Sequence, residues 1–449
     1  MTALEILSLD LTAQRQLIEQ GDISADQLLA MQLAHNEQVN PHLNAFISSA
    51  KHISATDAKQ AFAGISVAVK DNIDVLGFNT TAGMLTREDS KPTDNAFAIK
   101  KLLASGMSIS GKLNMHEGAL GATNDNPHFG KCFNPHNLTH TPGGSSGGSG
   151  VSVAAAMTPL ALGTDTMGSV RIPAAYCGVF GLKASKGAIS IGGTVICAKE
   201  LDNIGPLTRS ARDLRIALEI LQGFDKDCQQ SRQIDYLAEQ TSYQLLAPSN
   251  LEQLGVEANI IEKFEQQLQL LVDAGHKIKR FSLDYDFSAA RRAGLLICEK
   301  DMLVEHQFDY QNNHHLFSAE LASMLDFGNT KDDASVTKAI NVLAKAEQLA
   351  QQIFAQAEIL VMPTAPQQAF EFSQAVPANQ ADLTALANHA ELAALTAPMP
   401  TNELPMGIQF VGPAGSDYQL IGLAEQYQTL SGWQYKLPQA LADLISGDK

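Results

Sequence analysis

Short apolar runs alternate along this chain with segments whose apolar positions recur every three or four residues, and that alternation predicts an α/β fold. ISVAV at 65–69 is a β-branched run of strand length ending on Lys70, and MSISG at 107–111 follows a predicted helix over 95–105. Residues 1–60 read as helical. Ser24 and Gln27 have capping-box spacing ahead of Leu28, Leu29 and Met31, and Asn40-Pro41 ends the pattern. Ser210, Asp213, Leu214, Leu218 and Leu221 predict a capped amphipathic helix, and Ile261, Phe264, Leu268 and Leu271 predict another. EILVMPTAP at 358–366 and LPMGIQFVG at 404–412 read as returns to a central sheet, with the alanine-rich 376–397 between them open to loop, helix or both. From about 225 to 355 the chain is polar, rich in Gln and Asn and helical in pattern, which reads as a variable insertion.

Composition narrows the class. The chain has 449 residues, 45% of them apolar, enough for a large core, and its net charge of −17 opposes a role on nucleic-acid phosphates. Lys and Arg are scattered, so no polybasic membrane patch stands out. No apolar run is long enough to span a membrane, and the N-terminus carries acids where a secretory signal would be apolar. The five cysteines are widely spaced with no C-x-x-C pair, which fits a reducing cytoplasm.

Three places carry candidate chemistry. Lys70 ends an apolar strand, where an isolated lysine would ordinarily emerge into water. TPGGSSGGSG at 141–150 puts five glycines in ten positions around Ser145 and Ser146 before the small, apolar VSVAAAM. That run reads as a linker, a phosphate cradle or a tight loop opening a helix, and it lacks the Gly-Lys-Ser/Thr ending of a nucleotide loop. GTDTMGSVRIPAAYCG at 163–178 places Ser169 in a turn whose N–H groups can converge on an oxyanion, flanked by Asp165 and Arg171. The nucleophile elbow G-x-S-x-G is not met around Ser169. It is met at Ser145, but without the preceding strand. His128, His136 and His140 near Cys132 match no standard zinc spacing and read as loop histidines, so no metal is expected.

Taken together, GGSSGGSGVSVAAAMTPLALGTDTMGSVRIPAAYCGVFGLKAS at 143–185 resembles the defining stretch of the amidase signature family. VAVKDNIDVLG, GKLNMHE, LDNIGPLTRS, LVMPTAP and LPMGIQFVGP follow in the family's order. The resemblance implies a single α/β domain over 1–449: a central mixed sheet covered by helices on both sides, a signature core at 60–215, the 225–355 insertion forming part of the substrate cleft, and a return to the sheet at 356–449. It implies Ser169 as nucleophile, Ser145 as bridge and Lys70 as general base. Gly144–Ser145 would be a cis peptide, and the N–H groups of Thr166, Met167, Gly168 and Ser169 would hold the oxyanion. Gly144, Asp165 and Arg171 would be structural supports.

The chain departs from the family text in three places. Met167 stands where glycine is usual, Met84 where serine is common, and the lysine strand lacks its usual proline. Met84, Met115, His116, Ala119 and Met167 would line the cleft. The activity implied is hydrolysis of a small or aryl-substituted carboxamide to carboxylate and ammonia, without cofactor, nucleic acid or membrane, in a chain whose relatives are commonly homodimers. Three alternatives stand beside it. One is the glutamine-hydrolysing subunit of a tRNA-dependent amidotransferase, which NMHEGALG departs from; another is a biuret- or allophanate-type hydrolase; the third is an inactive binding protein on this scaffold.

Overall fold

The structure, a computed structural model, describes residues 1–54 and 60–446. Its frame is a mixed sheet of eleven strands among the described residues: β1 (Phe46–Ser49), β2 (Ser66–Lys70), β3 (Ser108–Leu113), β4 (Leu160–Thr164), β5 (Phe180–Lys183), β6 (Ile204–Thr208), β7 (Gln244–Pro248), β8 (Lys277–Phe281), β9 (Ile359–Pro363), β10 (Ala393–Met399) and β11 (Met406–Gly412). Their order is β1-β3-β2-β4-β6-β5-β10-β11-β9-β7-β8. β2 runs parallel to both β3 and β4, β7 runs parallel to β8 and β9, and the strands between these two parallel groups pair antiparallel.

Side-chain alternation divides the core. Val67, Val69, Leu160 and Leu162 face one apolar layer, and Ala68 and Ala161 face another. The helices that matter here are α1 (Leu11–Gln20), α2 (Ala25–Leu43), α3 (Phe97–Ser105), α4 (Gly147–Ala154), α5 (Arg171–Cys177), α6 (Ala211–Leu221), α7 (Ala258–Asp273), α8 (Phe287–Glu305), α9 (Ala319–Asn329), α10 (Asp333–Leu343), α11 (Asp382–His389) and α12 (Asp417–Ser431). Ile99 and Leu102 of α3, Leu214 and Leu218 of α6, Phe264 of α7 and Leu420 of α12 fill the first layer. Val151 of α4, Ala174 of α5 and Val39 of α2 fill the second. Lys70 shares strand parity with Ala68, so it points into the second layer. Small residues there bring α4 close to the sheet: a Cβ added to Gly148 would stand 2.5 Å from the carbonyl oxygen of Asn114.

Several expectations need correction. The region 225–355 is not wholly an insertion, because β7, α7 and β8 form a strand–helix–strand unit that extends the sheet. Only the stretch from α8 to α10 stands apart, packing Met302, Leu321 and Ala339 over Met84, Met115 and Ala119. Asn40-Pro41 does not end α2, which runs to Leu43 with Pro41 in its last turn and Asn44 as a left-handed cap. Residues 1–60 also hold strand β1. The Ser210 hydroxyl does not cap α6, and Asp213 of that helix instead accepts hydrogen bonds from the N–H groups of Leu11 and Thr12, serving the start of α1. The alanine-rich 376–397 holds α11 and most of β10.

Candidate active site

Lys70 and Ser145 meet at the carboxyl end of the parallel strands. Lys70 is fully buried, and its Nζ lies 2.7 Å from Ser145 Oγ and 2.7 Å from Thr164 Oγ1. Burial pulls the Lys70 pKa down to about 7, against the opposing pull of Cys197, Asp202 and Asp165. An ammonium there has no carboxylate within hydrogen-bonding distance among the described residues. Near neutrality the amine can therefore offer a lone pair to the Ser145 hydroxyl while donating to Thr164. Asn72 Nδ2 also donates to Thr164 Oγ1, at 3.1 Å. Thr164 and Asn72 escaped the sequence reading, although Thr164 closes a strand directly beside β2 and Asn72 follows Lys70 by two residues.

The peptide between Gly144 and Ser145 is cis. The Ser145 carbonyl accepts the His116 N–H at 3.1 Å, and the Ser146 N–H donates to the Ser169 carbonyl at 3.2 Å, which ties the two serine segments together. Ser146 is structural: its hydroxyl donates to the Thr164 carbonyl at 3.0 Å. Ser169 is partly exposed, and its hydroxyl makes no hydrogen bond among the described residues. The site therefore holds a buried amine, a buried hydroxyl bonded to it, and a nearby hydroxyl open to a ligand.

The loop before Ser169 is held by a buried ionic cluster. Arg171 donates to Asp165 through Nε at 3.0 Å and Nη2 at 2.9 Å, and to the Thr384 carbonyl through Nη1 at 2.8 Å, while Asn388 Nδ2 donates to Asp165 Oδ1 at 3.0 Å. Burial works to raise the Asp165 pKa, but the charge and hydrogen bonds of Arg171 prevail and hold it at about 2. Asp165 also accepts the Gly168 N–H at 2.8 Å. This corrects the expected set of four oxyanion donors. The Gly168 N–H is already committed, whereas those of Thr166, Met167 and Ser169 have no partner among the described residues. Thr166 Oγ1 donates to Asp202 Oδ1 at 2.6 Å, and burial raises the Asp202 pKa to about 6. Asp202 was legible only as part of a motif, without a role.

Gly168 has φ +131°, and an added Cβ would stand 2.1 Å from Thr384 Oγ1, the group that donates to the Met167 carbonyl. Gly168→Ala should therefore strain the loop by about 1–3 kcal/mol. Calorimetry should show a lower Tm, and kcat should fall more than KM rises. An unchanged Tm and kcat would mean that the loop has no fixed conformation to lose.

The expected cleft residues do gather. Met84, Met115 and Ala119 share one buried cluster with Met302 and Leu321 of the α8–α10 wall, and Met167 packs against it. His116 is buried beside them, with Nδ1 3.4 Å from Thr123 Oγ1, and burial lowers its pKa. The loop histidines part company. His128 bonds Glu117 at 2.9 Å, His136 bonds the Cys177 carbonyl at 3.0 Å, and His140 Nδ1 lies 2.9 Å from Thr139 Oγ1. No group of three or more potential metal ligands is assembled among the described residues.

Comparison with known proteins agrees on one family. The family whose sequence model matches is Amidase, over residues 27–421. A glutamyl-tRNA(Gln) amidotransferase subunit of Thermotoga maritima is 31% identical, with 93% of this chain and 95% of that one covered. A crystal structure of the Thermotoga maritima protein superposes with a TM-score of 0.86 at 30% identity, covering 97% of this chain and 98% of that one. A bacterial aryl acylamidase of the amidase signature enzymes superposes with a TM-score of 0.87, covering 99% and 100% of the two chains, and at 20% identity it speaks for the fold. No helix among the described residues is long and apolar enough to cross a membrane.

Proposed function

Because this chain belongs to the amidase signature family and is an enzyme of carbon–nitrogen amide bonds, we propose that it hydrolyses a small or aryl-substituted primary carboxamide to carboxylate and ammonia through an acyl-enzyme on Ser169. The observation that carries this reading is the 2.7 Å contact between Ser145 Oγ and a fully buried Lys70. Ser169 Oγ attacks the amide carbonyl as its proton passes to Ser145, whose own proton passes to neutral Lys70. The N–H groups of Thr166, Met167 and Ser169 take the oxyanion. The proton returns by the same path to the departing nitrogen, ammonia leaves, and water then attacks the ester, with its proton following the relay and Ser169 leaving as the hydroxyl. The 2.7 Å contact of Lys70 with Ser145, with Ser169 tied to the same loop through the Ser146 N–H, supports a working enzyme over an inactive binding protein. The apolar cluster of Met84, Met115 and Ala119 supports an apolar acyl group, since each buried CH₂ is worth about 0.8 kcal/mol.

The similarity to the glutamyl-tRNA(Gln) amidotransferase protein over nearly the whole chain favours a second reading, in which glutamine is the amide and the ammonia goes to a companion protein. Ammonia release from glutamine, propionamide and benzamide separates the two. The first reading expects propionamide and benzamide to exceed glutamine in kcat/KM by at least about tenfold, roughly 1.4 kcal/mol in the transition state. A preference for glutamine would establish the second reading.

A further inference from the structure

Beside the loop that carries Ser169 lies a small cavity that the proton relay does not use. Met167 forms one wall, and Tyr285, Phe287, Arg291, Asp382 and His389 are among the others. His389 is 6% exposed, its Nε2 is buried without a hydrogen-bond partner, and its Nδ1 stands 3.5 Å from Tyr285 Oη. Buried polar atoms are ordinarily satisfied, so a nitrogen left open beside a cavity suits a small hydrogen-bonding partner there. Three elements converge there. A Cβ added to Gly294 on α8 would lie 2.7 Å from Met167 Sδ and 3.1 Å from His389 Nε2. Met167 also packs against the buried cluster that includes Met84, Met115, Ala119 and Ala290, so its flexible thioether borders both the cavity and that cluster.

We propose that this cavity, with room for about one small polar group, is the far end of the acyl subsite, and that when Met167 swings aside it receives the neutral hydroxyl or carboxamide terminus of a flat aryl acyl group, which bonds His389 Nε2 while the ring fills the space Met167 leaves. The proposal rests on the carboxamide reading above, because ammonia bears no substituent and anything reaching past Met167 must belong to the acyl group. The rings of Tyr285 and Phe287, 5.0 Å apart and edge to face, give the cavity an aromatic wall. Its charges are already balanced. Arg291 Nη1 lies 2.6 Å from Asp382 Oδ2, and burial with the nearby charge of Arg171 holds His389 neutral, its pKa about 4. An ionic terminus therefore finds no free counter-charge. Whether Nε2 donates or accepts depends on the tautomer, and hydroxyl and carboxamide groups satisfy either case.

The test pairs benzamide and 3-phenylpropanamide with their para-hydroxy forms. In kcat/KM, His389→Phe should lower the hydroxy-to-plain ratio about tenfold. Met167→Gly should raise the aryl amides relative to propionamide by about the same factor. Gly294→Ala, which fills the meeting point with one methyl group, should lower the hydroxy-to-plain ratio even if His389→Phe fails to fold. Calorimetric Kd values on Ser169→Ala protein give a reading without turnover. There a para-hydroxy amide should bind about tenfold tighter than its plain partner, and the advantage should vanish in Ser169→Ala/His389→Phe or Ser169→Ala/Gly294→Ala. Equal Kd values for the two forms on Ser169→Ala protein, or an advantage that persists in the double variants, would overturn the subsite. A binding advantage without any turnover would instead overturn the hydrolytic reading and leave the subsite standing.

Discussion

Replacing Lys70 with arginine should abolish activity as completely as replacing it with alanine, a loss of about 10²–10⁴-fold or more in kcat/KM. Lysine can act as a base because burial pulls its pKa to about 7 and makes the neutral amine accessible near neutrality. Guanidinium cannot give up its proton at any working pH, so charge and hydrogen-bonding capacity alone do not rescue the site. The wild-type pH profile follows from the same argument. kcat/KM should climb tenfold per pH unit on the acid side and level off above about pH 7, as the free enzyme's lysine loses its proton.

Stability should also rise with pH, over a higher window. The unfolded chain binds a proton on this lysine up to its ordinary pKa near 10.5, whereas the folded chain releases it near 7. Between those values the unfolded state holds more protons, so the burden on folding shrinks as pH rises; below pH 7 it is full, about 5 kcal/mol. Lys70→Met should therefore be inactive yet melt higher than wild type at pH 6, with the advantage fading toward pH 10. A Lys70→Arg enzyme with substantial activity at pH 7 would remove Lys70 as the base.

Ser169→Ala should lose roughly 10⁴–10⁶-fold in kcat, the scale on which removing a nucleophile acts, while its Tm stays within a degree or two. The side chain is partly exposed and makes no hydrogen bond among the described residues, so its removal disturbs no packing. Ser145→Ala should also be severely impaired, but for another reason: it leaves Lys70 Nζ without one of its two hydroxyl partners and removes the hydroxyl proposed to carry the Ser169 proton to it. The two losses should not add in the double variant, because a relay missing one member gains nothing from the other. Additive losses would mean that the serines act independently.

The sequence carried the frame and the chemistry unevenly. Lys70, Ser145 and Ser169 were assigned through the resemblance to the amidase signature family, because the strand end, the glycine-rich loop and the Gly-Ser turn each left other readings open when taken alone. β8 was hidden because KIKRF at 277–281 is an outer strand with charged, half-exposed positions, the composition by which edge strands avoid pairing with other chains and one that also suits a polar helix. β7, reading QLLAP, was too short to separate from a helix fragment. The commitment of the Gly168 N–H to Asp165 was beyond the sequence, since it depends on a carboxylate three residues earlier being turned inward by Arg171, Thr384 and Asn388. Lys183 was missed for a similar reason. It is fully buried, and burial, followed by the charge of Arg171, lowers its pKa to about 7, yet its Nζ donates only to the Ala184 carbonyl among the described residues, at 3.1 Å. Lys70, Lys112 and Lys183 are all buried with depressed pKa values, and among the described residues only Lys70 of the three is hydrogen-bonded to a serine.

Intact-protein mass spectrometry after a slow ester substrate or a fluorophosphonate shows whether Ser169 is the nucleophile. One covalent adduct per chain is expected, mapped by peptide sequencing to Ser169, slowed in Lys70→Ala and absent in Ser169→Ala. An adduct of the same mass that persists on Ser169→Ala, or that maps to Ser145, would contradict this role for Ser169.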